Sequence, residues 1–178
     1  SDSYVRALGD YLEKEKGVQL VVQNMPGAGG SIAIEELRKA KPDGQTLLWL
    51  PAAVIVGYKF LGRTLDLDTE VTPIAGLTAS TVYWVVNPDV IDVNTMDELV
   101  AYLKEHPGEP YGSVGVGSLG HLSSLEWADK NGVEIEHIPY KGSNPSMQGL
   151  ISGEVGLLTG ATGLQVKPQV EAGKIRPI

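Results

Sequence analysis

The sequence has no cysteine among its 178 residues and little positive charge. The missing cysteines exclude disulfide bonds, thiolate catalysis and cysteine-ligated zinc or iron–sulfur sites. The 14 Lys and Arg residues stand against 22 Asp and Glu residues, which gives a formal net charge of −8. Because nucleic-acid-binding domains show a basic face or stripe, we expect no nucleic-acid partner. No apolar run approaches the roughly 18 residues of a membrane-spanning helix.

Glycine is abundant instead, with 22 residues, and much of it follows predicted strands. Helical spacing of apolar residues predicts a first helix over 3–16. β-branched and apolar residues then predict strands at Val18–Val22 and Thr46–Leu50. Between these strands lie a glycine-rich loop at 24–31 and a helix that Pro42 stops. This order of elements is typical of a parallel α/β sheet.

The second half repeats the arrangement of strand, glycine-rich loop and helix. Pro110–Val114 precedes its glycine-rich loop but predicts a poor buried parallel strand, because proline lacks a backbone donor. Thr95 and Glu98 form the pattern of a capping box at the start of a helix. The other predicted strands are 80–86, 133–138, 154–158 and 174–178, and the other predicted helices begin near residues 121, 144 and 166.

A glycine-rich turn that leads into a helix is suited to binding an anion. The first helical N–H groups lack partners within the helix, and the helix dipole adds partial positive charge there. Ser31, Ser113 and Ser118 add hydroxyl donors to the two loops. Two such loops on two lobes would hold a small anion between them. The alternative is that both are ordinary turns in which serine caps the helix.

Two enzyme classes also match parts of the second loop. Gly115, Gly117 and Gly120 form the G-x-G-x-x-G pattern of a dinucleotide-binding loop, although the strand before it is predicted to be weak. Ser118 and His121 lie three residues apart, but the Gly-x-Ser-x-Gly elbow of a serine hydrolase is absent. The three histidines show no metal-ligand spacing. We therefore predict no catalytic residue, no metal site and no cofactor.

Six stretches, in order along nearly the whole chain, resemble the Bug (TctC-type) periplasmic solute receptors of tripartite tricarboxylate transporters. The first contains the run PGAGG, and the fourth contains the run GVGS before a histidine. The stretches are VVQNMPGAGGS at 21–31, AKPDGQTLL at 40–48, TPIA at 72–75, YGSVGVGSLGHL at 111–122, IPYKGS at 138–143 with LISGEV at 150–155, and AGKIR at 172–176.

The resemblance implies an α/β fold of the type II periplasmic-binding-protein class, a two-lobed Venus flytrap. Lobe one would be 1–77, incomplete because the family's first strand and its C-terminal return are not found, and lobe two would be 78–178. The implied protein is a monomeric receptor, not an enzyme, that delivers a small carboxylate to a membrane permease. The ligand would be a di- or tricarboxylate, an acidic amino acid or an aromatic acid. The implied location is periplasmic or extracytoplasmic, with a lipid anchor in a Gram-positive cell and the signal sequence absent from this chain.

The resemblance also implies which residues bind the ligand. Those of lobe one lie in the first glycine-rich loop, with Asp2 ordering that loop or a water molecule. Those of lobe two lie in and after the second loop. The implied binding residues are Asp2, Ala28, Gly29, Gly30, Ser31, Ser113, Gly117, Ser118, His121 and Thr159. A dinucleotide-binding enzyme that uses the loop of Gly115, Gly117 and Gly120 is the alternative.

Overall fold

Helices and strands alternate through the second half of the chain, whereas the first half is helical. The computed structural model describes residues 2–60, 62–66, 69–79 and 81–178. In chain order the elements are α1 (Asp2–Lys16), a 3₁₀ turn (Ala28–Gly30), α2 (Ser31–Lys39), α3 (Ala52–Phe60), β1 (Val82–Val86), α4 (Met96–Glu105), β2 (Glu109–Ser113), α5 (Leu119–Asn131), β3 (Ile135–Pro139), α6 (Ser143–Ser152), β4 (Leu157–Thr162), α7 (Gly163–Glu171) and β5 (Arg176–Pro177).

The five strands form one mixed sheet in the order β3-β2-β4-β1-β5. Strand β2 runs parallel to both β3 and β4, while β1 is antiparallel to β4 and β5. The prediction that Pro110–Val114 is a poor buried strand was therefore wrong. Pro110 faces Glu136 on one side, and β4 pairs with β2 only at Tyr111 and Gly112. Pro110 has no backbone N–H to donate. This is tolerated because β4, on the side away from β3, does not pair with Pro110.

The hydrophobic core covers both faces of this sheet. Alternate residues of a strand point to opposite faces, so Val86 and Leu157 pack with α4 and α5, whereas Val85 and Leu158 pack with α6 and α7. Helix α4 contributes Leu99 and Leu103, which are fully buried. Within the described ranges, no helix combines the length and apolar character needed to cross a bilayer.

The predicted strands Val18–Val22 and Thr46–Leu50 were wrong, because neither forms a strand in the structure. A strand is stabilised by hydrogen bonds and side-chain contacts with a neighbouring strand, and the sheet of the described residues contains neither segment. Val21 is 97% exposed, which shows that its apolar side chain has no face to pack on. The parallel α/β unit predicted for the first half is therefore not formed.

The starts of α4 and α6 lie close to the predicted positions. Helix α4 begins after Thr95, whose hydroxyl accepts a hydrogen bond from the Glu98 N–H at 3.2 Å. The Glu98 carboxylate accepts from the Asn94 N–H at 2.6 Å, one residue earlier than the predicted capping box requires. Helix α6 begins at Ser143, one residue before the predicted start near 144, and its N-cap is Gly142.

The predicted and observed strand bounds differ. The strand predicted at 133–138 is Ile135–Pro139, and the one predicted at 174–178 is Arg176–Pro177. The strand predicted at 80–86 is confirmed from Val82 to Val86, and Ser80 lies outside the described residues. The strand predicted at 154–158 begins at Leu157 and continues to Thr162, because pairing with β1 starts where Leu157 meets Val86. This shift places Thr159 inside a strand.

Candidate functional site

The second glycine-rich loop joins the end of a central strand to the start of a helix. Strand β2 ends at Ser113, and α5 begins at Leu119. Ser118 is the N-cap of α5, and its hydroxyl accepts a hydrogen bond from the His121 N–H at 3.3 Å. Strands β2, β3 and β4 are parallel, so their carboxyl ends meet at one edge of the sheet. In open α/β sheets this edge is where ligands bind.

Ser113 is the centre of a buried hydrogen-bond network beneath this loop. Its side chain is fully buried, and its Oγ lies 2.7 Å from Nε2 of His137. The Gly115 N–H donates to this hydroxyl at 3.2 Å, and the Ser118 hydroxyl donates to it at 3.3 Å. The Ser113 hydroxyl also reaches the Gly115 carbonyl oxygen at 3.2 Å. The network thus connects Ser113 and Ser118, both predicted binding residues, to the backbone of the loop.

Two histidines stack at the base of the loop. The rings of His121 and His137 lie 4.1 Å apart between centroids, with an angle of 20° between their planes. The Gly117 N–H donates to Nδ1 of His121 at 3.1 Å, which requires that nitrogen to be unprotonated. Burial lowers the pKa of His121. Burial, with the charge of His121, lowers the pKa of His137 to about 4. Both rings are neutral at pH 7.

The sequence analysis did not place His137 among the binding residues, so its contacts with the site were missed. It lies on β3 directly opposite Tyr111 of β2, and the two rings are 5.1 Å apart. Only the parallel pairing of β2 and β3 places His137 beneath a loop that follows β2. The local sequence therefore contains no pattern that would have predicted this contact with Ser113.

Thr159 lies on β4 and packs against the start of α5. Its side chain is fully buried, and its hydroxyl donates to the Gly120 carbonyl oxygen at 3.1 Å. A Cβ atom on Gly120 would overlap the Thr159 backbone, 2.8 Å from its carbonyl carbon. The absence of a side chain at Gly120 thus allows the helix to approach the strand closely. The structure places Thr159 beside the loop, with its hydroxyl bonded inside the protein.

The first glycine-rich loop forms the 3₁₀ turn Ala28–Gly30 and leads directly into α2. Ser31 is buried at the first position of α2. The N-cap is Gly30, in a left-handed conformation with φ of 95° and no side-chain cap. The alternative interpretation of Ser31 as a capping serine was therefore wrong. Capping by Ser118 in the second loop was correct.

Asp2 connects α1 to the segment before this turn. Its carboxylate accepts hydrogen bonds from the Asn24 side chain at 2.8 Å and from the Arg6 guanidinium at 2.9 Å. The Arg6 bond, followed by that of Asn24, holds the pKa of Asp2 below its usual value. This geometry matches a residue that orders the first loop.

Helix α3, which the sequence analysis did not predict, contacts both loops. A Cβ atom on Gly30, in the first loop, would lie 2.7 Å from a methyl carbon of Val54. In the second loop, the backbone of Gly117 packs directly on that of Gly57, and a Cβ atom on Gly57 would overlap the Gly117 carbonyl group. Predicted binding residues from both halves of the chain are thus joined through α3.

The network of the second loop consists of neutral hydrogen-bonding groups. The N–H groups in the first turn of α5 have no acceptor within the helix. Arg6 is paired with Asp2, and Arg63 is paired with Glu35. Among the described residues, no group of three or more His, Asp or Glu side chains could hold a metal ion. Such a site favours an anion that accepts hydrogen bonds from backbone amides.

The contact between Ser113 and His137 resembles the nucleophile and base of a hydrolase only in distance. Ser113 is fully buried, so its hydroxyl has no access to a substrate carbonyl in this structure. The pKa of His137, near 4, makes its imidazole a weak general base at pH 7. The pair is better suited to holding the loop than to attacking a substrate.

Comparison with protein families gives a match over residues 4–178 to the family described as the tripartite tricarboxylate transporter family receptor, TctC. The chain belongs to this TctC family. A relative from Cupriavidus necator, the "UPF0065 protein in gbd 5'region", is 36% identical over 182 residues, covering 99% of this chain and 53% of the relative. The chain therefore spans about half the length of the curated relatives it matches. The predicted resemblance to the Bug (TctC-type) receptors is confirmed.

Solved structures of TctC-like proteins share this fold. The R. palustris protein Rpa4515 with adipate is 31% identical and has a TM-score of 0.85, with 99% of this chain and 60% of that chain covered. The periplasmic binding protein BugD is 27% identical and has a TM-score of 0.81, with 99% and 59% covered. The chain thus has the mixed α/β fold of periplasmic binding proteins, which are solute-binding proteins. The predicted fold class is confirmed.

Proposed function

We propose that this chain is part of an extracytoplasmic receptor that binds a small dicarboxylate and passes it to the permease of a tripartite tricarboxylate transporter. The family match over residues 4–178 carries this proposal. The adipate bound to a relative that is 31% identical supports a dicarboxylate as the ligand. The predicted lobes, 1–77 and 78–178, would each contribute one glycine-rich loop.

The geometry of the two loops supports a carboxylate at each end of the ligand. The turn 28–30 and the loop 115–118 both lead into a helix of at least nine residues. The helix dipole and the N–H groups of the first turn, which have no acceptor within the helix, stabilise a negative charge at these positions. This local effect acts at contact range, so the net charge of −8 does not prevent binding.

The test is a thermal-shift and calorimetric screen of this chain with adipate, malate, citrate, glutamate and benzoate, with NAD as a control. A ligand at 100 times its Kd stabilises a protein by about 2.7 kcal/mol, which raises Tm by several degrees at this size. We expect a shift with adipate or another dicarboxylate. A shift with NAD alone would support the dinucleotide-binding alternative and contradict the receptor proposal.

Two capping variants then locate the binding site. Ser118→Ala removes the N-cap of α5 in the predicted binding loop, and Thr95→Ala removes the N-cap of α4, which lies outside that loop. Each should lower the free energy of unfolding by about 1 kcal/mol. Only Ser118→Ala should also weaken binding of the dicarboxylate. Equal affinities in both variants would show that the loop 115–118 is not the site.

A further inference from the structure

His137 contacts the site from a strand that the glycine-rich loop does not belong to. Its ring is half-buried on β3, within 2.7 Å of the Ser113 hydroxyl and stacked on His121 of α5. The Ser113 hydroxyl also accepts hydrogen bonds from the Ser118 hydroxyl and from the Gly115 N–H. The Ser118 hydroxyl in turn accepts one from the N–H of His121. One imidazole therefore supports the end of β2, the loop and the first turn of α5.

A count of hydrogens decides which state of His137 fits this network. The Ser113 oxygen has one hydrogen to donate and two lone pairs to accept with. The N–H of Gly115 and the hydroxyl of Ser118 occupy both lone pairs. Nε2 of His137 must then accept the Ser113 hydrogen, which requires the neutral imidazole with its hydrogen on Nδ1. The hydrogen and both lone pairs of the Ser113 hydroxyl are paired in this state.

Protonation of His137 is incompatible with this set of hydrogen bonds. Nε2 then becomes a donor, so three donors compete for the two lone pairs of Ser113, and its hydrogen must turn to the Gly115 carbonyl oxygen. The bond from Gly115 or the one from Ser118 must be lost. The new positive charge also lies against the ring of His121.

We infer that His137 is a positioning residue, whose neutral imidazole holds Ser113 and through it the loop 115–118 in the geometry that binds the ligand, and whose protonation releases that loop. The ligand part of this inference rests on the proposed function. The titratable groups that face His137 are His121 on α5 and Tyr111 on β2. The charge of His121 and burial both lower the pKa of His137, to about 4, so release occurs in acid.

The test uses two substitutions with different chemistry. His137→Phe keeps a flat ring on His121 and removes the bond to Ser113. His137→Gln supplies an amide oxygen that accepts from Ser113 and does not titrate. His106→Gln is the matched control, because His106 is exposed at the end of α4. Amide hydrogen exchange by NMR, from pH 7 to pH 4, is measured as protection of the N–H groups that Ser113 and Ser118 bind, those of Gly115 and His121. The Gly117 N–H is left out, because it donates to Nδ1 of His121 and follows the protonation of that ring instead.

In His137→Phe, exchange of these amides should be roughly two- to tenfold faster at pH 7, as expected for one lost hydrogen bond. In His137→Gln, their protection should be restored and should stay level as the pH falls. In the wild type and in His106→Gln, protection should fall toward pH 4. The buried amide of Leu103 in α4 exchanges through global unfolding. Its exchange rate should not change by the same factor as the rates of the loop amides.

The inference is overturned if His137→Phe leaves the loop amides as protected as in the wild type. It is also overturned if His137→Gln loses protection in acid as the wild type does, or if Leu103 changes by the same factor as the loop. Adipate affinity at pH 7 is the second readout, expected to be weaker in His137→Phe and recovered in His137→Gln. If no variant and no wild-type sample binds adipate while the exchange pattern holds, the proposed ligand is wrong and the role of His137 stands.

Discussion

Gly57 is where one added methyl group would most directly disturb the contact between α3 and the binding loop. The structure leaves no space at this position, because a Cβ atom would overlap the carbonyl oxygen of Gly117 and lie 2.9 Å from its carbon. Real Cβ atoms essentially never approach closer than 3.0 Å. The obstacle is backbone, which cannot rotate away as a side chain would. Gly57→Ala must therefore move α3 or the loop.

The magnitude follows from the geometry. The carbonyl oxygen of Gly117 lies nearer than its carbon, so reaching even the 3.0 Å limit requires one element to shift by about 1 Å. Overpacking of this kind costs about 1–3 kcal/mol. Alanine also favours the helix over glycine by about 1 kcal/mol, which partly offsets this loss. A control that carries the same helical gain without the overlap separates these two effects.

Gly9 in α1 provides that control. A Cβ atom there would lie 3.6 Å from Cβ of Leu20, which is an ordinary contact. We expect Gly9→Ala to raise the free energy of unfolding. The free energy of unfolding of Gly57→Ala should be lower than that of Gly9→Ala by about 1–3 kcal/mol. This difference corresponds to roughly 2–12 °C in Tm for a chain of this size.

The assay is urea unfolding together with exchange of the Gly117 amide, which should be faster in Gly57→Ala only. Equal stabilisation by both substitutions, with unchanged exchange at Gly117, would refute the close contact between α3 and the loop.

Three further outcomes are expected. The pKa of His137 is lowered to about 4 in the folded chain, against about 6.5 when unfolded, so the unfolded state takes up the proton first. The free energy of unfolding should therefore fall by about 1–2 kcal/mol between pH 6.5 and pH 4, and calorimetry of His137→Gln should show a smaller fall. Leu150→Ala should cost about 2–5 kcal/mol in urea unfolding, because Leu150 is fully buried, whereas Leu164→Ala, 63% exposed, should cost less than about 0.5 kcal/mol. Asp2→Asn should speed amide exchange in the segment around Asn24, because the carboxylate that joins α1 to it is lost; unchanged exchange there would show that this contact does not order the loop.

The chemistry of neighbouring residues was sufficient to predict several helix starts and helix ends. Gly17, Gly132 and Gly153 each follow a helix in a left-handed conformation, which glycine adopts at little cost. Thr95 and Ser118 each cap the helix that follows, because their hydroxyls satisfy a backbone N–H of the first turn. These effects involve only neighbours within four residues, so a single sequence is enough to predict them.

The candidate site was predictable in part for the same reason. A glycine-rich loop was expected before a helix in each half of the chain, and the turn 28–30 and the loop 115–118 lie there. Their capacity to bind an anion follows from the helix start itself. The motifs along the chain also pointed to the family, which the match over 4–178 confirmed.

Tertiary contacts decided the rest. The strands expected at 18–22 and 46–50 are absent because β propensity is expressed only beside a partner strand. Glu109–Ser113 became a central strand despite its proline because β3 and β4 pair with it where donors are needed. Helix α3 forms from a segment that contains β-branched Val54 and Ile55, packed against both glycine-rich loops.

The sequence by itself determined the N-caps of α4 and α5, which loops can bind an anion and which family the chain resembles. The tertiary structure alone placed His137 under Ser113 and Gly57 against Gly117. The physical reason is distance along the chain. His137 is 24 residues from Ser113, and Gly57 is 60 residues from Gly117, so only the pairing of β2 with β3 and the packing of α3 bring these atoms into contact.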